Sequence, residues 1–275
     1  MQKPIVGLIN SYYPSLTNAE KKVADYVLNH LNNVIYYSVT DLSFKVGVGE
    51  TTVLRFCRKI GMKGYQEFKL SIAQTLSGSD EHEESEANNF IDTIANNTIH
   101  GIKETASMIN DEDVKIAIDM LNQAKSIHFF GVGTSGVTAL DAQSRFLRIG
   151  KLTNAMTDSH LQSMAAASLS EEDVVIALSI TGSTRDTLES IEVAKNSGAK
   201  IIAITYHTRS PITKFADVVL AGGAKESPLD GGSLIAKIAQ LFVIDLLCTG
   251  LALMNEKQSH DMREKTAQAV VSKIY

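Results

Sequence analysis

The chain has 275 residues, room for two ordinary domains, and its 44% hydrophobic and 21% charged content is that of a globular protein. A net charge of −5 excludes a chain-wide coat for nucleic acid. The charge is unevenly spread: residues 1–76 hold nine Lys and Arg against five Asp and Glu, whereas residues 77–90 hold five acids and no base. A basic head, an acidic connector read as a solvated linker, and a mildly acidic body make a two-domain pattern.

The first strong element signal is Thr17 with Glu20 three residues on, a capping box that opens a helix carrying Val23, Ala24, Val27, Leu28 and Leu31. Two shorter helices are expected over 39–46 and 50–60, separated by Gly47-Val48-Gly49, and another over 65–76 with Phe68, Ile72 and Leu76 on one face. Before them, Pro4 and Asn10 break any apolar run of signal length. Residues 1–76 therefore read as all-helical.

Beyond the acidic stretch, helices are expected over 88–109 and 111–123, the second opened by three acids. The period then changes. Short apolar strands at 126–130, 173–178, 200–205 and 217–220 alternate with helical stretches, the pattern of a parallel α/β sandwich with the sheet flanked by helices. Helices at about 232–254 and 259–273 close the chain. The three expected regions are a head at 1–76, a connector with a helix at 77–110, and the α/β body at 111–275.

Cys57 and Cys248 lie inside apolar helical patterns and read as reduced structural thiols. No apolar run of signal length opens the chain, and Asp245 interrupts the apolar stretch 238–254, which reads as a buried helix. These features fit a cytoplasmic chain with no membrane partner.

On a helix from Glu50 to Ile60, Val53, Leu54, Cys57 and Ile60 can face a core, leaving Thr51, Thr52, Arg55, Arg58 and Lys59 outward. Two readings are open for these cations: a solvated face, or a recognition helix in the DNA major groove. The preceding helix and glycine turn favour the second. Arg55 then suits bidentate contact with guanine, while Lys59 and Lys63 suit phosphates. One such module binds weakly at cellular salt, so a homo-oligomer on repeated half-sites of double-stranded DNA is expected.

Residues 16–76 resemble the N-terminal domain of the RpiR/MurR family of bacterial transcriptional regulators. The resemblance rests on Leu16-Thr17, Glu20 and Val23-Ala24-Asp25-Tyr26, then on Val53 through Gly61 and on Lys63-Gly64-Tyr65-Gln66-Glu67-Phe68-Lys69. Gly49 stands where the family usually has a capping Ser, a change worth only a few tenths of a kcal/mol.

Gly131-Val132-Gly133-Thr134-Ser135-Gly136 leaves one strand and enters a helix. Alone it fits a dinucleotide turn or a bare structural turn; the dinucleotide reading is set aside because the third glycine is read at the wrong spacing and no acid is expected at the ribose-reading distance. Ser179, Thr181, Ser183 and Thr184 cluster after a second strand, just before a helix, where backbone N–H groups favour an anion. Neither loop has a P-loop lysine, so a compact phosphorylated metabolite suits them better than a nucleoside triphosphate.

Residues 112–255 resemble the sugar isomerase (SIS) domain that usually forms the second half of this regulator family. The resemblance implies that Ser135, Ser179, Thr181 and Thr184 hold a sugar phosphate, with Gly133, Thr134, Gly182 and Ser183 beside them. Glu226 falls where SIS enzymes place a catalytic carboxylate; it could bond sugar hydroxyls or favour a helix N-terminus. His160 has two readings, a surface histidine at a helix start, which is favoured, or one that approaches the pocket. The expected function is a transcriptional regulator, more a repressor than an activator, of sugar-metabolism genes under phosphosugar control. No cofactor, metal or catalytic residue is expected. The alternative is a phosphosugar isomerase with an accessory head, for which Glu226 lacks an acid/base partner.

Overall fold

The computed structural model describes residues 5–77, 90–229 and 231–273, so most of the acidic connector lies outside the described residues. Two compact units form: Met1–Ile94 with Lys225–Ser233, and Ala95–Ala224 with Leu234–Tyr275.

The helical unit contains α1 (Ile5–Tyr12), a 3-10 turn (Tyr13–Ser15), α2 (Asn18–Asn29), α3 (Leu31–Val34), α4 (Val39–Val46), α5 (Glu50–Lys59) and α6 (Tyr65–Ser77). The capping box is formed: Thr17 N donates to Glu20 Oε2 at 2.8 Å and Glu20 N to Thr17 Oγ1 at 3.3 Å. Helix α1 is in keeping with the all-helical reading of the head. Ile5 and Ile9, one turn apart, are both fully buried, and burying two isoleucines outweighs the weak helix propensity of one Asn. On α5 the core face is Val53, Phe56, Cys57 and Ile60; Phe56 meets Phe68 edge-on at 5.7 Å, while Leu54 is only half-buried.

Lys69 lies in this core at 4% exposure. Burial pushes its ammonium pKa down to about 8 from 10.5, against the smaller opposing pull of Asp41. Between those two values this lysine binds more protons in the unfolded chain than in the fold, so its contribution to the stability of the helical unit rises with pH across that window. Below it the fold carries a charged buried lysine at constant cost. Lys69→Met should therefore stabilise this unit at pH 7 by up to about 3 kcal/mol, with the advantage closing near pH 10.5. Calorimetry of both proteins at the two pH values tests this, and equal midpoints at pH 7 would refute it. The Cys57 thiol, pushed up to about 12 by burial, destabilises both proteins alike above its ordinary range and drops out of the comparison.

Helix α7 (Phe90–Met108) spans the division between units, and α8 (Asp111–Gln123) follows in the sheet unit. Then come β1 (Ser126–Phe130), α9 (Thr134–Arg148), β2 (Thr153–Met156), α10 (Ser159–Ala167), β3 (Asp173–Leu178), α11 (Arg185–Asn196), β4 (Lys200–Thr205), β5 (Val218–Ala221), α12 (Leu234–Met254) and α13 (Glu256–Val271). All strand pairs are parallel, in the order β2-β1-β3-β4-β5. Side chains alternate across the sheet: Ile127, Phe129, Val174, Ile176, Ile202 and Ile204 join the core with α8, α9 and α12, while Phe130, Val175, Ala177, Ile201 and Ala203 join that with α10 and α11. Strand β2 was not anticipated. It is an edge strand in which only Thr153 is buried, so it carries little apolar signal. Cys248 sits in the α12 core as a free thiol, raised by burial to about 11.

Candidate DNA-binding and effector sites

Helix α4 opens at Ser38, whose Oγ accepts from Asp41 N at 2.9 Å, and ends at Gly47 in the left-handed conformation. The chain turns through Val48, and α5 starts at Gly49, which has no side chain to cap it. Thr40 Oγ1 donates to Glu50 Oε1 at 2.8 Å and ties the first turns of α4 and α5 together. The result is two helices joined by a tight turn, with the second presenting Thr51, Arg55 and Arg58 to solvent. Spacings of four and three put these residues on one face. Arg55 is held only loosely, its Nε donating to Thr51 O at 3.3 Å.

The other expected contacts are less free. Thr52 is half-buried, and Lys59 Nζ is 3.0 Å from Glu20 Oε2, in an ion pair that sequence separation hides. Burial of Glu20 by itself would raise its pKa, but bonds from Thr17 and Lys59 outweigh this and hold the carboxylate below its ordinary value. Lys59 therefore braces α5 against α2. Lys63 is exposed just past the helix, its backbone N–H donating to Glu67.

In the sheet unit, the chain order reverses direction between β1 and β3: β1 leads through α9 to β2 on one side, and β3 leads through α11 to β4 on the other. The two strands are direct neighbours, with Phe130 opposite Ala177. The loops that leave them therefore start about 4.8 Å apart and diverge toward opposite faces, opening a crevice at their carboxyl ends. The hydroxyl-bearing loops fall on those two strand ends.

The first loop is tight. A Cβ on Gly131 would lie 2.8 Å from Ser135 O, a backbone atom that cannot step aside. Gly133 caps α9 without a side-chain bond, and Thr134 and Gly133 are exposed, whereas Ser135 is buried to 7% exposure. Gly131, Gly133 and Gly136 have the spacing of a dinucleotide turn after all, which corrects the reading of the third glycine as misplaced. An acid also follows β2, contrary to the sequence expectation, but Asp158 Oδ1 accepts from Leu161 N at 3.0 Å and so caps α10. His160 sits exposed in the first turn of that helix.

The second loop is a web of short hydroxyl contacts. Ser179 Oγ lies 3.0 Å from Thr184 Oγ1, and Ser183 N donates to Thr181 Oγ1 at 3.2 Å. Gly182 turns at φ +60° against Ser210, where a Cβ would come within 2.0 Å of the Ser210 hydroxyl. Ile212 N donates to Gly182 O at 2.9 Å and braces the turn from behind. Thr184 is the N-cap of α11 but makes no side-chain bond to its first N–H groups, so these stay available for an anion.

Glu226 belongs to the Lys225–Ser233 segment grouped with the helical unit, and its Oε1 accepts from Ser233 N at 2.8 Å. Gln240 went unnoticed in the sequence reading. This α12 side chain is fully buried and lies 3.4 Å from Ser135 Oγ. A buried glutamine in an apolar helix was visible as a pattern break, but its partner 105 residues earlier was not. Among the described residues no cluster of His, Cys, Asp or Glu could hold a metal ion.

Comparison with known proteins places both units. Residues 4–79 match the helix-turn-helix domain of the rpiR family, and residues 120–250 match the SIS domain. An HTH-type transcriptional regulator of Haemophilus influenzae is 36% identical over 277 residues, covering 97% of this chain and 96% of that protein. The bifunctional protein glk of Paraburkholderia xenovorans is 37% identical over 93% of this chain, which spans only 41% of that longer protein. Among solved structures, the Vibrio vulnificus NanR protein complexed with ManNAc-6P matches with a TM-score of 0.91 and 27% identity, covering 98% of this chain and 99% of that one. With a helix-turn-helix built on α4 and α5 and a SIS fold carrying the hydroxyl loops, the chain belongs to the rpiR family of HTH–SIS transcriptional regulators.

Proposed function

We propose that this regulator represses sugar-metabolism genes and that a phosphorylated sugar, held between the loops after β1 and β3, controls its grip on DNA. The observation that carries the reading is the adjacency of those two strands, which brings Ser135 and the Ser179, Thr181 and Thr184 hydroxyls to one crevice beside two helix N-termini. Gly133 and Thr134 contribute backbone N–H groups, while Gly182 and Ser183 hold the turn of the second loop, their own N–H groups bonding Ser179 O and Thr181 Oγ1. On the helical unit, Thr51, Thr52, Arg55 and Arg58 face the major groove and Lys63 lies toward phosphates, while Lys59, paired with Glu20, braces the helix that carries them. The hydroxyl web binds and orients but offers no general base, so the sheet unit senses its ligand and does not turn it over.

The working form is a cytoplasmic homo-oligomer. Val137, Leu140 and Leu147 form an apolar stripe on α9, each more than half exposed, of the kind a symmetric partner covers. Effector binding then favours one arrangement of the paired heads, a coupling of about 1–3 kcal/mol, or roughly 5- to 150-fold in DNA affinity.

A thermal-shift screen against hexose, pentose and amino-sugar phosphates tests the reading, each beside its unphosphorylated sugar. ManNAc-6P heads the panel because NanR is seen with it. A ligand at 100 times its Kd adds about 2.7 kcal/mol. A phosphate-dependent hit without turnover supports the sensor, a hit that is isomerised supports an enzyme, and silence across the panel refutes the effector site.

A further inference from the structure

We propose that Gln240 is a positioning residue that sets the hydrogen-bond polarity of the first loop, so that Ser135 offers its proton to an anion. The inference rests on the reading of Ser135 as part of the effector site.

Three buried polar groups form a directed chain. Thr138 Oγ1 donates to Gln240 Oε1 at 3.3 Å, and Gln240 Nε2 donates to Ser135 Oγ at 3.4 Å. All three residues are nearly sealed from solvent, at 1%, 0% and 7% exposure. A hydroxyl has one proton and two lone pairs. Because Ser135 Oγ already accepts from the amide, its proton is left to donate elsewhere. Ser135 sits in the first turn of α9, where unsatisfied backbone N–H groups also point outward. The Ser135 proton and these N–H groups then bias the loop toward donation, which favours phosphate oxygens over ammonium groups.

The setting argues for this role over packing. The other buried side chains of α12 are Ala, Val, Ile, Leu and Cys, and a leucine would fill such a site without desolvating an amide. Both bonds are longer than the usual 2.7–3.2 Å, so they add little to the stability of the free protein. Such a chain strengthens when its last member donates to a charge, because each bond polarises the next.

Two variants separate the possibilities. Gln240→Glu, read at a pH where the buried carboxyl is ionised, supplies only acceptors, so it captures the Ser135 proton and turns the loop against anions. Gln240→Met keeps the length and fills the site, and removes the amide. Binding of inorganic phosphate and of glucose 6-phosphate is followed by thermal shift on the full chain, against sodium chloride at equal ionic strength. Gln240→Glu should weaken binding about tenfold or more, the loss of one hydrogen bond to a charged group. Gln240→Met should weaken it several-fold in the native background and not at all in Ser135→Ala. Wild-type binding retained in both variants would overturn the proposal. So would an equal loss from Gln240→Met with and without Ser135, since a packing role is additive. If the wild-type protein shows no phosphate-dependent shift, the effector reading itself falls and this inference with it.

Discussion

Replacing Arg55 by alanine should lower operator affinity by roughly 5- to 150-fold, about 1–3 kcal/mol, while leaving thermal stability within about 0.5 kcal/mol. Arg55 is exposed, shares a face with Thr51 and Arg58, and makes only one weak contact, to Thr51 O. No buried bond is lost on truncation, so a loss of DNA binding reports the interface directly. The measurement is fluorescence anisotropy on double-stranded fragments that the wild-type protein selects from a random pool. Salt dependence adds a second reading. A phosphate contact, as expected of Lys63, contributes close to one unit to the slope of log affinity against log salt, whereas a base contact changes which fragments are selected. Unchanged binding by the Arg55 variant would mean that another face of α5 meets the DNA. Lys59 calls for a different expectation. Its pairing with Glu20 makes Lys59→Ala a test of how α5 is braced, and its effect combines stability with affinity.

The double substitution Ser179→Ala with Thr181→Ala should weaken phosphosugar binding at least about a hundredfold and abolish the effector response, with operator binding unchanged. Each hydroxyl that bonds a phosphate is worth about 1.5–3 kcal/mol. Both also stiffen the loop, Ser179 through Thr184 and Thr181 through Ser183 N, so their loss removes preorganisation as well as contacts. Titration calorimetry with the best compound of the phosphosugar panel reads the affinity, and anisotropy with and without that compound reads the response. A double variant that still responds would place the phosphate outside the second loop.

Much of this was legible along the chain. The Thr17–Glu20 capping box, the α4–turn–α5 string and the switch from helical to strand periodicity depend on partners within a few residues, and each formed as the local chemistry dictates. The failures were also physical. Strand β2 is short and mostly half-exposed, so it has no apolar run to announce it. The acid after β2 was overlooked, and only its bond to Leu161 N gives it a capping role.

The sequence by itself determined the two element classes, the helix-turn-helix string and which residues carry hydroxyls after strands, because hydrogen bonding within a few residues and the periods 3.6 and 2 are written locally. Tertiary structure decided the rest. Strand order made neighbours of β1 and β3, so two loops some fifty residues apart became one candidate site. Long-range packing gave Lys59 to Glu20, buried Lys69 and set Gln240 against Ser135. These pairings follow from which apolar faces find each other when the chain collapses, and no short-range pattern encodes that choice.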